Sequence, residues 1–111
     1  MADGRKLNRG DVWLTALDPT IGSEMRKTRP CVIVSPPELH DYLRTVMIVP
    51  LTTGNRPAPY RIETQFQGRP GRITLDHIRA VDKSRLIKKL GNVGPEALSD
   101  TLAALRNMFE D

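Results

Sequence analysis

No apolar run in this 111-residue chain exceeds four residues, and the two richest in β-branched side chains, Cys31–Val34 and Val46–Val49, stop at Ser35 and Pro50. Such runs fall far short of the ~18 residues a membrane span needs. They suit short strands covered on both faces. Further extended pieces surround them. Residues 12–17 alternate, with Val12, Leu14 and Ala16 expected on one strand face, between Arg9-Gly10-Asp11 and Asp18-Pro19. Residues 46–51 read as a third strand. Residues 60–66 and 72–75 read as strands joined by the turn-rich Gln67-Gly68-Arg69-Pro70-Gly71, and 79–89 as another extended piece.

Two segments carry helical signals. Ser35-Pro36-Pro37-Glu38 has the form of a capping box, with Ser35 as cap and Pro36 at the first helical position; it predicts a short helix over 36–43 with His40 on its exposed side. At the other end Gly94-Pro95 starts a segment in which Leu98, Leu102, Leu105 and Phe109 recur at spacings of four, three and four, one stripe of an amphipathic helix. Many short strands with a short internal helix and a C-terminal helix predict a small, strongly bent β-barrel. The length suits one domain over residues 9–111, after eight polar residues expected to be loose.

At 39% hydrophobic and 27% charged the composition is close to that of soluble globular chains and argues against disorder. The polar start Met1–Lys6 does not read as a signal peptide, which predicts a cytoplasmic protein. One cysteine excludes an internal disulfide, and without clustered partners it makes no zinc site, so no metal or cofactor is expected. The net charge of +4 is unevenly spread. Residues 1–89 carry 16 basic and 9 acidic side chains, a net of +7, whereas residues 90–111 carry Arg106 against four acids, a net of −3. A basic body favours an anionic partner, nucleic acid being the commonest.

Motifs for phosphate loops, HExxH metal sites and serine elbows are absent from the sequence. Cys31 lies inside an apolar run and reads as packing, Trp13 as core or interface. His40 and His77 are the residue types for an acid–base pair that cleaves RNA, although the exposed placement expected for His40 argues against it. The polar loop 22–30 sets Glu24, Lys27 and Arg29 directly before a buried strand, and Pro50-Leu51-Thr52-Thr53 puts two hydroxyls at another strand's end. Arginine grips phosphate oxygens bidentately without losing its charge, and a hydroxyl both donates and accepts, so these groups suit a phosphodiester. Lys27, Arg56, Arg61, Arg69, Arg72 and Arg79 are the further cations that could line an RNA groove or lie on solvated surface, and Thr53 joins them as an RNA-binding candidate.

The blocks Arg9-Gly10-Asp11-Val12-Trp13, Leu17-Asp18-Pro19, Gly22-Ser23-Glu24, Lys27-x-Arg29-Pro30-Cys31-Val32-Ile33-Val34-Ser35 and Val49-Pro50-Leu51-Thr52 resemble, in order and spacing, the MazF/PemK family of toxin endoribonucleases. The likeness continues more loosely through Leu75-Asp76-His77-Ile78-Arg79-Ala80-Val81-Asp82 and Arg85-Leu86 to the closing helix. It implies an SH3-like barrel of the MazF/PemK/CcdB kind with a C-terminal helix, working as a homodimer. It also implies metal-independent cleavage of single-stranded RNA to a 2′,3′-cyclic phosphate and a 5′-hydroxyl, blocked by a cognate antitoxin through an extended acidic segment.

By the same resemblance the catalytic arginine falls on Arg29, the threonine on Thr52 and the loop glutamate on Glu24. Asp76 and His77 are the competing pair for proton transfer or RNA binding. Some relatives carry an arginine two residues before the aspartate; here that position is Thr74, which puts a mechanism relying on it in doubt. The competing class is a binding module, as in a toxin of similar fold that poisons DNA gyrase through a Trp-Gly-Ile tail. This chain ends Asn107-Met108-Phe109-Glu110-Asp111 instead.

Overall fold

A computed structural model describes residues 5–19, 21–24, 27–53 and 57–111. Among these, seven strands form one antiparallel sheet: β1 (Asp11–Ala16), β2 (Thr28–Ile33), β3 (Thr45–Thr52), β4 (Arg61–Phe66), β5 (Arg69–Thr74), β6 (Arg79–Asp82) and β7 (Leu86–Asn92). Helix α1 (Pro37–His40) precedes β3 and α2 (Pro95–Met108) follows β7, while 3-10 turns occupy Leu75–His77 and Lys83–Arg85. The sheet runs β4-β5-β3-β2-β1-β7, and β6 pairs with the first half of β3. Strand β3 is the spine. One of its edges holds β2, and the other holds β6 along Thr45–Ile48 and β5 at Leu51 and Thr52. The sheet thus curls into a half-barrel, as the pattern of short strands predicts.

Successive residues of β2 enter opposite cores, which is why its apolar run is continuous. Cys31 and Ile33 join Trp13, Leu17 and Ile48 on one side, and Val32 and Val34 join Val12, Val49 and Ile73 on the other. Full burial of each such aliphatic side chain is worth about 1.5–3 kcal/mol. The same double coverage extends to β1, where Val12, Leu14 and Ala16 share one face as expected. Trp13, Thr15 and Leu17 are buried on one face, while of Val12, Leu14 and Ala16 on the other only Val12 is fully buried. Of the N-terminal stretch expected to be loose, Leu7 is buried in the core and Arg5 donates to the carbonyls of Lys83 and Leu86.

The β4–β5 turn is tighter than expected. Phe66 pairs with Arg69, leaving only Gln67 and Gly68, both at positive φ (52° and 76°), as a two-residue hairpin of this hand requires. The extended piece over 79–89 is two strands broken by the turn at Lys83–Arg85.

Helix α1 is half the predicted length, and Ser35 does not cap it. The Ser35 hydroxyl instead donates to His40 Nε2 at 2.9 Å and accepts the Met47 N–H at 3.1 Å, and His40 Nδ1–H donates to the Leu7 carbonyl at 3.0 Å. A carbonyl only accepts, so the hydrogen sits on Nδ1. His40 is therefore a buried clamp between the N-terminal segment and β3, the reverse of the exposed position expected.

Helix α2 lies where predicted but rolled by about one residue. Ala97, Ala104, Leu105 and Met108 pack on the second core and Thr101 is fully buried, whereas Leu98 and Leu102 are half-buried and Phe109 is 72% exposed. Its buried face is thus built partly from small side chains, an option that a count of large residues overlooks. Among the described residues no helix is long and apolar enough to cross a membrane.

Candidate active site

Strands β2 and β3 are paired from Ile33–Ile48 to Cys31–Pro50. Pro30 and Pro50 bring no amide hydrogen to a ladder at this point, and beyond it the strands part. The same register carried two residues further sets Arg29 across from Thr52. Between them opens a groove of about 640 Å³, walled by Lys27–Pro30 on one side and Leu51–Thr53 on the other, and closed by the hairpin tip from Phe66 to Gly71.

Each wall is held by rigid backbone. Arg29 is paired with Thr15 of β1, and its carbonyl accepts the Cys31 thiol at 3.6 Å. Thr52 is paired with Arg72 of β5. The neighbouring Gly71 lies so close to β3 that a side-chain carbon there would stand 2.9 Å from the Thr52 carbonyl oxygen. Lys27 ends the preceding loop, where its carbonyl accepts the Leu17 N–H at 2.9 Å, and it holds a positive φ of 65° unusual for so long a side chain. Lys27, Arg29 and Arg69 give the groove three cations, and its described lining includes no carboxylate. Burial pushes the Cys31 thiol up to about 12, so it is a packed side chain and a poor nucleophile.

The other candidates gather in a separate, smaller cleft of about 140 Å³, on the far side of Pro50. Glu24, Asp76, His77 and Arg79 line it with Leu17, Pro50 and Ile78. Glu24 is exposed, and its Oε1 accepts the Ile21 N–H at 2.6 Å. Asp76 is gripped by both ends of the Arg61 guanidinium, Nε at 3.1 Å and Nη2 at 2.9 Å. Those hydrogen bonds hold its carboxyl below the usual range, which makes it a weak base. His77 Nε2 stands 3.5 Å from both Asp76 Oδ2 and Arg61 Nη2. Arg79 spends one contact on the chain itself, donating to the Leu17 carbonyl at 3.2 Å.

The structure thus brings Arg29, Thr52, Lys27 and Thr53 to one groove, and Glu24, Asp76, His77 and Arg79 to the cleft beside it. Arg56 lies outside the described residues. His40 is far from serving with His77 as an acid–base pair, since both its ring nitrogens are bound inside the core. Of the other basic side chains considered for the groove, Arg69 lines it, whereas Arg61 and Arg72 pair with Asp76 and Glu63. Thr74, at the position where some relatives carry arginine, is fully buried with its hydroxyl donating to the Pro50 carbonyl at 2.8 Å. What sequence reasoning missed is the Arg61–Asp76 pair, fifteen residues apart.

The chain is similar to known proteins over most of its length. The chain is 33% identical over 109 residues to the endoribonuclease PemK of Escherichia coli, covering 93% of this chain and 82% of that protein. To the endoribonuclease MazF of Staphylococcus epidermidis it is 36% identical over 90 residues, covering 76% and 75% of the two chains. Its fold superposes on the crystal structure of MazF from Deinococcus radiodurans with a TM-score of 0.83 at 21% identity, over 94% and 96% of the chains. A mycobacterial endoribonuclease solved with its cognate antitoxin matches with a TM-score of 0.76 at 25% identity, over 91% and 92%. The family model for PemK-like, MazF-like toxins matches residues 8–109, nearly the whole chain. This chain belongs to that family of toxins of type II toxin–antitoxin systems.

Proposed function

We propose that the chain is a toxin endoribonuclease that cuts single-stranded RNA in the groove between Arg29 and Thr52, without metal, by attack of the ribose 2′-OH on the adjacent phosphorus. The observation that carries this reading is the groove itself: three cations, three threonines and no carboxylate among its described lining. Such a lining seeks a phosphodiester. In the step, the 2′-oxygen forms a bond to phosphorus, the bond to the 5′-oxygen breaks, and that oxygen takes up a proton from solvent as it leaves. Arg29 neutralises the charge growing on the phosphoryl oxygens, and Thr52 orients one of them by hydrogen bonding. Lys27 and Thr53 hold the flanking strand, and Arg56 and Arg79 are assigned to RNA as well.

The proton leaves the 2′-OH for a group of the adjoining cleft. Because Arg61 holds Asp76 ionised, Glu24 and His77 are the two described groups suited to that task. The cytoplasm is the assigned compartment and a homodimer the assigned assembly. A cognate antitoxin is the assigned inhibitor, its acidic extended segment complementing the cations of the groove. Replacing the ribose at a mapped cut site by deoxyribose tests the step. Cleavage there disappears if the 2′-OH attacks, and continued cutting refutes it.

A further inference from the structure

A second cavity, of about 410 Å³, adjoins the groove and shares Thr53, Pro70 and Gly71 with it. Its remaining walls are Glu63, Thr64, Gln65 and Arg72. The sheet register fixes how the two spaces relate. Thr52 pairs with Arg72, and Arg72 with Glu63, so the three stand in one line across β3, β5 and β4. Two strand spacings, about 10 Å, separate Thr52 from Glu63. That is the reach of one nucleotide from its phosphate to the edge of its base.

Glu63 is out of place for a surface that only tracks phosphates, because a carboxylate repels them. It is also not a loose rim charge, since Arg72 Nη2 donates to its Oε1 at 3.0 Å from a side chain that is only 14% exposed. The Glu63 side chain, 78% exposed, keeps its carboxylate turned to solvent from this anchored position. Gln65, two residues along β4, lies on the same strand face and offers an amide that donates and accepts. We propose that this cavity is a nucleobase subsite for guanine, read by Glu63 and Gln65, with Arg72 as the residue that positions Glu63.

Among the four RNA bases only guanine presents two adjacent N–H donors, N1–H and N2–H, beside an acceptor, O6. The carboxylate accepts from the two donors and the Gln65 amide donates to O6. Uracil flanks its one N–H with carbonyl oxygens that face the carboxylate, and cytosine and adenine each offer it only an exocyclic amine beside a ring acceptor. Unstacked bases of single-stranded RNA are read on such edges. Pro70 supplies an apolar surface for the ring where the cavity meets the groove. This subsite rests on the reading of the groove as an RNA site, and the test separates the two.

A random pool of 2′-O-methyl RNA decamers, uncleavable because the attacking hydroxyl is capped, is captured by the wild-type chain, Glu63→Ala and Glu63→Gln, and sequenced. The subsite predicts guanine enriched about tenfold or more at one fixed position by the wild type, in the range of a good bidentate base contact. It predicts that enrichment lost in Glu63→Ala and reduced in Glu63→Gln. Inosine at that position, lacking the N2 amine, weakens wild-type binding severalfold and leaves Glu63→Ala unchanged. A pool captured without guanine preference, or a preference that survives in Glu63→Ala, overturns the subsite. Guanine-selective capture by a protein that fails to cut the all-RNA version of the same sequence overturns the cleavage reading and leaves the subsite standing.

Discussion

Arg29 and Thr52 stand across from one another where β2 and β3 part, one on each wall of a single groove. Both are carried on strands whose pairing on the outer side continues, Arg29 with β1 and Thr52 with β5. The site is therefore a gap in a ladder, held open by strands that stay fixed. An RNA strand entering it meets donors on both sides.

The first prediction concerns salt. Lys27, Arg29 and Arg69 line the groove, and each phosphate they neutralise releases counterions. Plotting log affinity for an uncleavable single strand against log salt should give a slope of about −2, at roughly −0.7 per contact. Neutralising Lys27 or Arg69 to Gln should flatten it by about 0.7 each. An unchanged slope in both variants would remove these cations from the RNA path.

The second concerns the proton. Glu24 and His77 share the cleft beside the groove, but Glu24 Oε1 also accepts the Ile21 N–H. Glu24→Gln and His77→Ala should each be assayed by single-turnover cleavage across pH. The variant lacking the true base should lose about 10²–10⁴ in rate together with the acid limb of the profile. If neither variant slows, proton transfer does not run through this cleft.

A third prediction follows from Asp76. Its carboxyl is held below its ordinary value of 3.8 by the Arg61 hydrogen bonds, so the pair's contribution to stability is complete above that value. It is lost as pH falls through the lowered value. The wild type should be more stable than Arg61→Gln at neutral pH, by under about 1 kcal/mol because the pair is partly solvated. That gap should close below pH 4, as urea unfolding at both pH values would register. A gap that widens in acid would contradict the pairing.

His40 supplies the fourth. It ties Leu7 to Ser35 inside the fold and lies in neither the groove nor the cleft. His40→Ala should cost about 1–3 kcal/mol, because it leaves the Leu7 carbonyl and the Ser35 hydroxyl short of partners. Cleavage per folded molecule should be unchanged. Loss of activity at full foldedness would return His40 to the chemistry.

The strands of this protein were legible wherever apolar side chains alternate between two cores, as at Cys31–Val34 and in β3. The closing helix was misread where smaller residues turn it by one position, as at Thr101 in α2. The short helix failed as a capping box because Ser35 found a stronger claim on its hydroxyl in the His40 ring and the Met47 amide. Within the site, Arg29 and Thr52 were legible as blocks anchored to apolar strands. Their division from Glu24, Asp76 and His77 was not, because it follows from strand pairing that no local pattern encodes. Nor was the engagement of Arg61 and Arg72 with carboxylates on neighbouring strand positions.

The central claim is that Arg29 and Thr52 make this groove an RNA-cutting site. The most direct measurement is incubation of the purified chain with a long RNA in EDTA, beside Arg29→Ala and Thr52→Val, followed by analysis of the fragment ends. The account predicts defined fragments ending in a 2′,3′-cyclic phosphate and starting with a 5′-hydroxyl, formed about 10²–10³-fold more slowly by either variant. Fragments that vanish in EDTA, or that both variants produce at the wild-type rate, would contradict it.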